Sequence, residues 1–453
     1  MMRGGLLRTW TRLRETLWLR PAAASALAAL WVGLAIVIGP YMPGEYAIPV
    51  PDKDAIVELL KLGGGSLLTI ATVTLSVLMV VLNAASDQAS PRALPGLMSD
   101  GVTQNALATF VAGFVYAVAG IVVLGLGRDG TGARLLIGLG GLLSLALALF
   151  RMVMWFHHIA DTLKLSSMID RIFRSACRSV GAHRAAPGLG VRLQRPAGAS
   201  GAEPHSAESR HSTAGGAGTG AAWGRTVVRP AMTGYLRLID TARLAALAER
   251  HRLLIDISNR PGIGVHPLKP LATVRSRDGG AVDDAVLAVI GECFDIGRDR
   301  IDTQDPLFSL ELLCETACRA LSPGINDPET AEVCLDRLEA LLADLVADPP
   351  RQDMAPDTDR LGPGAAHVTL PALTIDALVD RALMRIARCG AGAVEVVCRL
   401  LGVLAVMARE ARHAEDADAA RRAAAQVHAY ARAALTIDHD LARVDAALAD
   451  MPQ

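Results

Sequence analysis

The sequence predicts a membrane α-helical protein, with four transmembrane helices followed by a cytoplasmic α+β region. Three observations carry that expectation. Four long, almost uncharged runs crowd the first third of a 453-residue chain. Arginines gather before the first run and basic residues after the last. Beyond residue 225 short strand-like segments give way to helix-period patterns.

Each run is long enough to cross a bilayer, which takes ~20 mostly apolar residues. The expected spans cover about 19–40, 62–85, 104–127 and 134–157, and the transmembrane domain covers 1–161. Four buried helices of a soluble bundle would need charges on an outer face, and the runs have almost none. The apolar core of the first run is too long for a cleavable signal peptide, and no small-residue cleavage site follows it. Arg3, Arg8, Arg12, Arg14 and Arg20 precede the first span, whereas Lys164, Arg171, Arg174 and Arg178 follow the fourth. The positive-inside bias therefore places both termini of a multi-pass protein in the cytoplasm. Trp18, Trp31 and Trp155 suit interfacial positions. All seven cysteines follow the spans, so structural disulfides are not expected.

Composition excludes other classes. Aromatic residues are 4% of the chain and the formal net charge is −1, so nothing favours a nucleic-acid partner. No G-x-x-x-x-G-K-[ST], H-E-x-x-H or G-x-S-x-G occurs, and no catalytic residue, metal or cofactor is expected.

The extramembrane part reads as four segments. Residues 162–183 form an amphipathic helix leaving the membrane, with Ile159, Leu163, Ile169 and Phe173 near one face. Residues 184–224, rich in Gly, Ala, Ser and Pro, read as a disordered linker, with His183, His205 and His211 as solvated side chains. Residues 225–300 form a small β-rich domain around a strand–helix–strand pattern and the hairpin RPGIGVHPLKPLATV. The hairpin resembles half of a barrel-sandwich hybrid, but a helix replaces the tight turn with its modifiable lysine, so the barrel is taken as scaffold. Residues 301–453 form a helical domain whose first helix opens at Asp305 and Pro306.

The second span poses the functional question. Thr69, Thr72, Ser76 and Asn83 recur on one helical face, and Asp87 follows one turn beyond Asn83. Polar groups in hydrocarbon need partners or water. Helix packing is the ordinary explanation, since hydroxyls bond back to the i−4 carbonyl or cross-link neighbours. Gly113, Ala117 and Gly120 on the third span, and Gly138, Gly141, Ser144 and Ala148 on the fourth, allow those two helices to pack without the second. The second span's polar face is then free to line a water-filled path in a homo-oligomer, with Asp87 favouring cations at its mouth. Asp87 and Arg92 also suit a local pair that shapes the SDQASPR turn.

Elsewhere, Ser322, Pro323, Gly324, Asn326, Asp327 and Pro328 read as a structural corner between helices. Gly324 would supply an unusual backbone angle, and Asn326 or Asp327 the cap. Cys314 and Cys318 share a helical face with metal-like spacing, but no second ligand pair follows, and buried thiols are the simpler reading.

Three stretches together, ASDQASPRALPGLMSDGVTQNALATFVAGFVYAV, RPGIGVHPLKPLATV and RIDTQDPLFSLELLCETACRALSPGINDPETAEVCLDRL, resemble a bacterial family of predicted membrane proteins, domain of unknown function twenty-two fifty-four. The resemblance covers nearly the whole chain apart from 184–224, with ALSPGINDP its most specific run. Gly264 and Pro267 depart from the family's usual hairpin, where an acidic or aromatic residue and a glycine are common. Membership implies four spans and a cytoplasmic domain. It implies no activity. The expected function is an oligomeric, channel-like or pore-forming protein with a cytoplasmic regulatory domain. The alternative is a membrane-anchored module that binds an unidentified cytoplasmic ligand without transport. An enzyme has the least support.

Overall fold

The computed structural model describes residues 19–41, 51–88, 101–127, 130–162, 164–194, 225–347 and 364–452. The chain divides into two compact units, Met1–Met168 and Ile169–Gln453.

The first unit is built from α1 (Leu19–Ile38), α2 (Lys53–Gln88), α3 (Gly101–Gly125) and α4 (Thr131–Thr162). All four are long and apolar enough to cross a membrane. With its 36 residues, α2 reaches about 54 Å, well beyond the ~30 Å hydrocarbon core. The sequence reading left 53–61 in a loop. The helix takes them instead, because Ile56 and Leu60 are buried in the core shared with α3 and α4.

Glycines set how the spans meet. A Cβ at Gly113 would stand 2.6 Å from Leu67, and one at Gly120 would stand 2.9 Å from Leu60. On α4, Gly141 and Gly138 receive Leu60 and Ile56 in the same way. The small-residue faces of α3 and α4 thus accommodate the large side chains of α2. The expectation that α3 and α4 pack without the second span is corrected: α2 fills the space their glycines leave. Trp155, expected at an interface, is 1% exposed, in a core with Leu67, Ala71 and Phe110. The Tyr116 hydroxyl donates to the Ile137 carbonyl at 2.9 Å, tying α3 to α4.

The second unit begins with α5 (Leu165–Ala185), which it holds from Ile169 onward. The helix buries Ile169, Ile172, Ala176 and Val180 at helical spacing, while the expected Phe173 lies under the Arg337 guanidinium at 5.1 Å. Then come β1 (Arg192–Gln194), β2 (Arg225–Val228), β3 (Gly234–Ile239), α6 (Thr241–Arg250), β4 (Leu253–Ile257), β5 (Gly264–Val265), β6 (Ala272–Ser276), α7 (Asp284–Gly291) and β7 (Phe294–Gly297).

Two sheets result. One has the order β1-β8-β4-β6-β2, where β8 is Val368–Pro371, and the other the order β5-β3-β7. Strand β8 runs parallel to both β4 and β1, and the remaining pairs are antiparallel. Leu236, Ile239, Leu253, Ile255, Val274 and Val368 meet in one core.

The strands cross the expected domain boundaries. Strand β1 comes from the stretch read as linker, and β8 from the middle of the helical domain. The sheet needs both, so 169–453 forms one unit rather than separate β and helical domains. The rest of the expected linker, 195–224, with His205 and His211, lies outside the described residues.

Helices complete the unit. These are α8 (Pro306–Ala320), α9 (Pro328–Ala347), α10 (Ile375–Val379), α11 (Arg385–Cys389), α12 (Val394–Glu410), α13 (Ala414–Ala434) and α14 (Asp438–Ala449). A π-helical turn, Asp380–Met384, joins α10 to α11.

Candidate functional site

In the first unit, α2 has two opposite faces. Ile56, Leu60, Leu67, Ala71 and Thr74 are buried among the other spans. Thr69, Thr72, Ser76 and Asn83 are exposed at the surface of the unit. With 100° per residue, their line lies roughly opposite the packed face, and Glu58 and Gly65 extend it toward the start of the helix. The hydroxyls of Thr69, Thr72 and Ser76 each donate to the carbonyl four residues back, at 3.0 Å. That bond satisfies the proton and leaves the oxygen lone pairs facing outward. Asp87 falls in the last turn of α2, and Arg92 lies outside the described residues.

In the second unit, the hairpin and the opening of α8 meet at a buried charge cluster. The Arg300 Nη2 donates to Asp305 Oδ2 at 2.6 Å, its Nε to the same oxygen at 3.0 Å, and its Nη1 to Glu311 Oε2 at 2.5 Å. Arg381 supplies a second cation to Glu311 Oε1 at 2.9 Å. The guanidinium of Arg300 also lies over Phe308, 5.1 Å from the ring centre. Arg300, Asp305 and Glu311 are enclosed, where an unpaired charge is costly, and the half-exposed Arg381 completes the balance of two cations and two carboxylates from the surface. Asp305 stands at the N-cap of α8 as expected, but its principal partner is Arg300.

The hairpin reaches this cluster through Gly262, whose φ of +96° suits glycine. A Cβ there would collide with the Asp305 carboxylate. Next to it, Arg260 donates to the carbonyls of Pro371 and Pro187 at 2.8 and 3.0 Å. Its Nη2 lies 3.5 Å from His183 Nδ1. Burial lowers Arg260 to about 10, with Asp305 opposing, and burial together with Arg260 lowers His183 to about 4. The reading of His183 as a solvated linker side chain is corrected: it is 6% exposed. Gln304 ties the cluster to β3, exchanging bonds with the Ile239 backbone at 2.8 and 3.2 Å.

The cluster is a clasp between sheet and helices. Its donors are spent on carboxylates and carbonyls. Sequence reasoning picked out Asp305 and the hairpin that begins at Arg260, took His183 for a solvated side chain, and did not single out Arg300, Glu311 or Arg381. The available signal was Glu311, a carboxylate in the apolar run PLFSLELLC.

At the corner between α8 and α9, Asp327 accepts from the Thr330 amide at 3.1 Å and from its hydroxyl at 2.6 Å. These bonds hold its carboxyl below the ordinary carboxylate range. The positive φ, +51°, belongs to Asn326 rather than Gly324, which corrects the expected assignment. The Ser322 hydroxyl bonds the Arg319 carbonyl at 2.6 Å, and Pro328 opens α9. Pro323 and Gly324 lie in the turn between them. Among the described residues, no group of three or more His, Cys, Asp or Glu is arranged to hold a metal.

No solved structure matches the chain. It is 25% identical over 364 residues to the uncharacterised proteins Mb1321c of Mycobacterium bovis and Rv1290c and MT1328 of Mycobacterium tuberculosis. The alignment covers 80% of this chain and 64% of each relative, just under two thirds of their length. The sequence pattern of one family matches residues 14–406. With that match over most of its length and four helices of spanning character, the chain belongs to the predicted membrane protein family DUF2254.

Proposed function

We propose that the protein assembles with further copies of itself in the bacterial inner membrane, both termini in the cytoplasm, as a channel-like oligomer. In this reading α2 lines a small water-filled path, and the C-terminal unit, with the barrel-like hairpin as scaffold, regulates it from the cytoplasm. The observation that carries the reading is the division of α2 into two faces. Ile56, Leu60, Leu67 and Ala71 are buried within the unit, while Thr69, Thr72, Ser76 and Asn83 are exposed on its surface, flanked there by the apolar Leu68, Val73, Met79 and Val80. Lone pairs that face outward suit water and a hydrated cation better than lipid. In an assembly, Asp87 would add a ring of negative charge at one end.

A second reading rests on the i−4 bonds themselves. They satisfy each hydroxyl proton locally, which also permits the line to face lipid in a membrane-anchored ligand-binding module.

Conductance of the purified protein in planar bilayers separates the two. The channel reading expects currents that Thr72→Leu reduces severalfold and Asp87→Asn makes less cation-selective. Absent currents, or currents unchanged in both variants, would leave the anchor reading.

A further inference from the structure

Helix α8 lies beside the π-helical turn and α11 in a register that continues over three rungs. Glu311 accepts from Arg381 at 2.9 Å, and one turn on Glu315 accepts from Arg385 at 3.4 Å, both pairs 70 positions apart. About one turn further, at a separation of 71, the pair is Cys318 and Cys389, near enough for each thiol to act on the other's ionisation. Two ion-paired rungs are followed by a thiol rung. The two segments stay in contact there, since a Cβ on Gly390 would come within 3.1 Å of the Leu321 side chain just past the end of α8.

The thiols are graded in access. Cys389 is exposed, Cys318 is partly covered and Cys314 is buried. Burial and the Cys318 thiol push Cys389 up to about 11, against the opposing charges of Arg385 and Arg388. Behind them, Cys334 on α9 is pushed up to about 12 by burial, with Cys318 and Asp327 adding to the shift. The Cys314 thiol and burial raise Cys318 as well, so these groups stand as thiols at neutral pH and exchange through a small thiolate fraction.

We propose that Cys318 and Cys389 are a redox-responsive dithiol site, closed to a disulfide by exchange with a low-molecular-weight disulfide. The Cys389 thiolate attacks one sulfur of the oxidant RSSR, forming a mixed disulfide and releasing RS⁻. The Cys318 thiol gives up its proton and attacks the Cys389 sulfur, displacing the second RS⁻. The two protons leave with two RSH, so the protein pair loses two electrons and the oxidant gains them. The product links α8 to α11 at the far end of the ladder that begins with Glu311 and Arg381.

The test uses the full chain in detergent, treated with oxidised glutathione, alkylated, digested and mapped by mass spectrometry. The expected result is a dithiothreitol-reversible link between the Cys318 and Cys389 peptides, with both thiols lost to alkylation together. In Cys318→Ser, Cys389 should stop at the glutathione mixed disulfide; in Cys389→Ser, a change at an exposed position, Cys318 should remain alkylatable. Cys177, exposed on α5, is the comparison for a thiol that carries glutathione without resolving it. A wild-type protein that keeps glutathione on Cys389, or that leaves both thiols free under conditions that modify Cys177, would overturn the assignment.

Discussion

The carboxylate of Asp305 occupies the space where a side chain on Gly262 would begin. That single approach joins the hairpin to the first helix of the bundle, and it explains why a glycine stands in the turn. Gly262→Ala must displace a buried carboxylate already committed to Arg300 and must hold φ at +96°. The expected cost is ~2–4 kcal/mol, combining backbone strain with overpacking. Gly264, with nothing within 4 Å of its Cβ position, is the control and should tolerate alanine. Hydrogen exchange in β3 and β7 would read the difference.

Arg300 neutralises Asp305 and shares Glu311 with Arg381. Arg300→Met strands buried carboxylate charge and should destabilise the C-terminal unit by ~3–5 kcal/mol. Adding Asp305→Leu and Glu311→Leu to the same chain should recover much of that loss. Thermal unfolding followed by circular dichroism tests both steps.

Acid should act on two groups with opposite sign. Burial raises the Asp305 carboxyl to about 6, with Arg300 opposing and Glu311 adding. A raised carboxyl contributes stability fully below its ordinary 3.8 and loses that contribution as pH rises to about 6. His183, lowered to about 4, contributes fully above its ordinary 6.5 and loses that contribution as pH falls toward 4. Between pH 6.5 and 4, Asp305→Asn should therefore steepen the loss of stability on acidification, and His183→Gln should flatten it. Denaturation midpoints across that range give the two slopes.

The Tyr116 hydroxyl bonds α3 to α4 through the Ile137 carbonyl. Tyr116→Phe should cost ~0.6–1.7 kcal/mol in detergent, the usual range for hydrogen bonds between membrane helices. Gly140→Val should cost more, because its side chain would enter the ring of Tyr116. Melting in micelles checks the order.

At the corner, Asp327→Ala removes the acceptor for two Thr330 donors and should cost ~0.5–2 kcal/mol. Asn326→Gly, at φ +51°, should be neutral or slightly stabilising. Thermal melts would show the contrast.

What could be read from the sequence follows from what is local. The spans announce themselves through unbroken apolar runs, and β2 through β6 through alternation between turn residues. Helix α9 opens at Pro328 because Asp327 and proline are both local signals. Strands β1 and β8 were harder. Three or four residues long, they exist because β4 offers a parallel edge, and Ile255 finds Val368 over more than a hundred positions. The buried state of His183 has the same origin, since Arg260, its neighbour, is 77 positions away. Glycine spacing on α3 and α4 showed that something packs closely there, but not that α2 would be the occupant. The polar line on α2 was visible, and its orientation away from the packed face required the fold.

The helix α5 carries a practical consequence. Its Ile169, Ile172, Ala176 and Val180 belong to the interior of the C-terminal unit, and β1 behind it covers the edge of β8. Asp170, Ser175 and Arg184 engage Arg337, Asp302 and Asp344. A fragment cut to begin at residue 225, where the composition invites a boundary, would bare those apolar side chains' partners and an open strand edge, and should aggregate. Scissors belong near residue 165. The stretch that looks like a tether is a keystone.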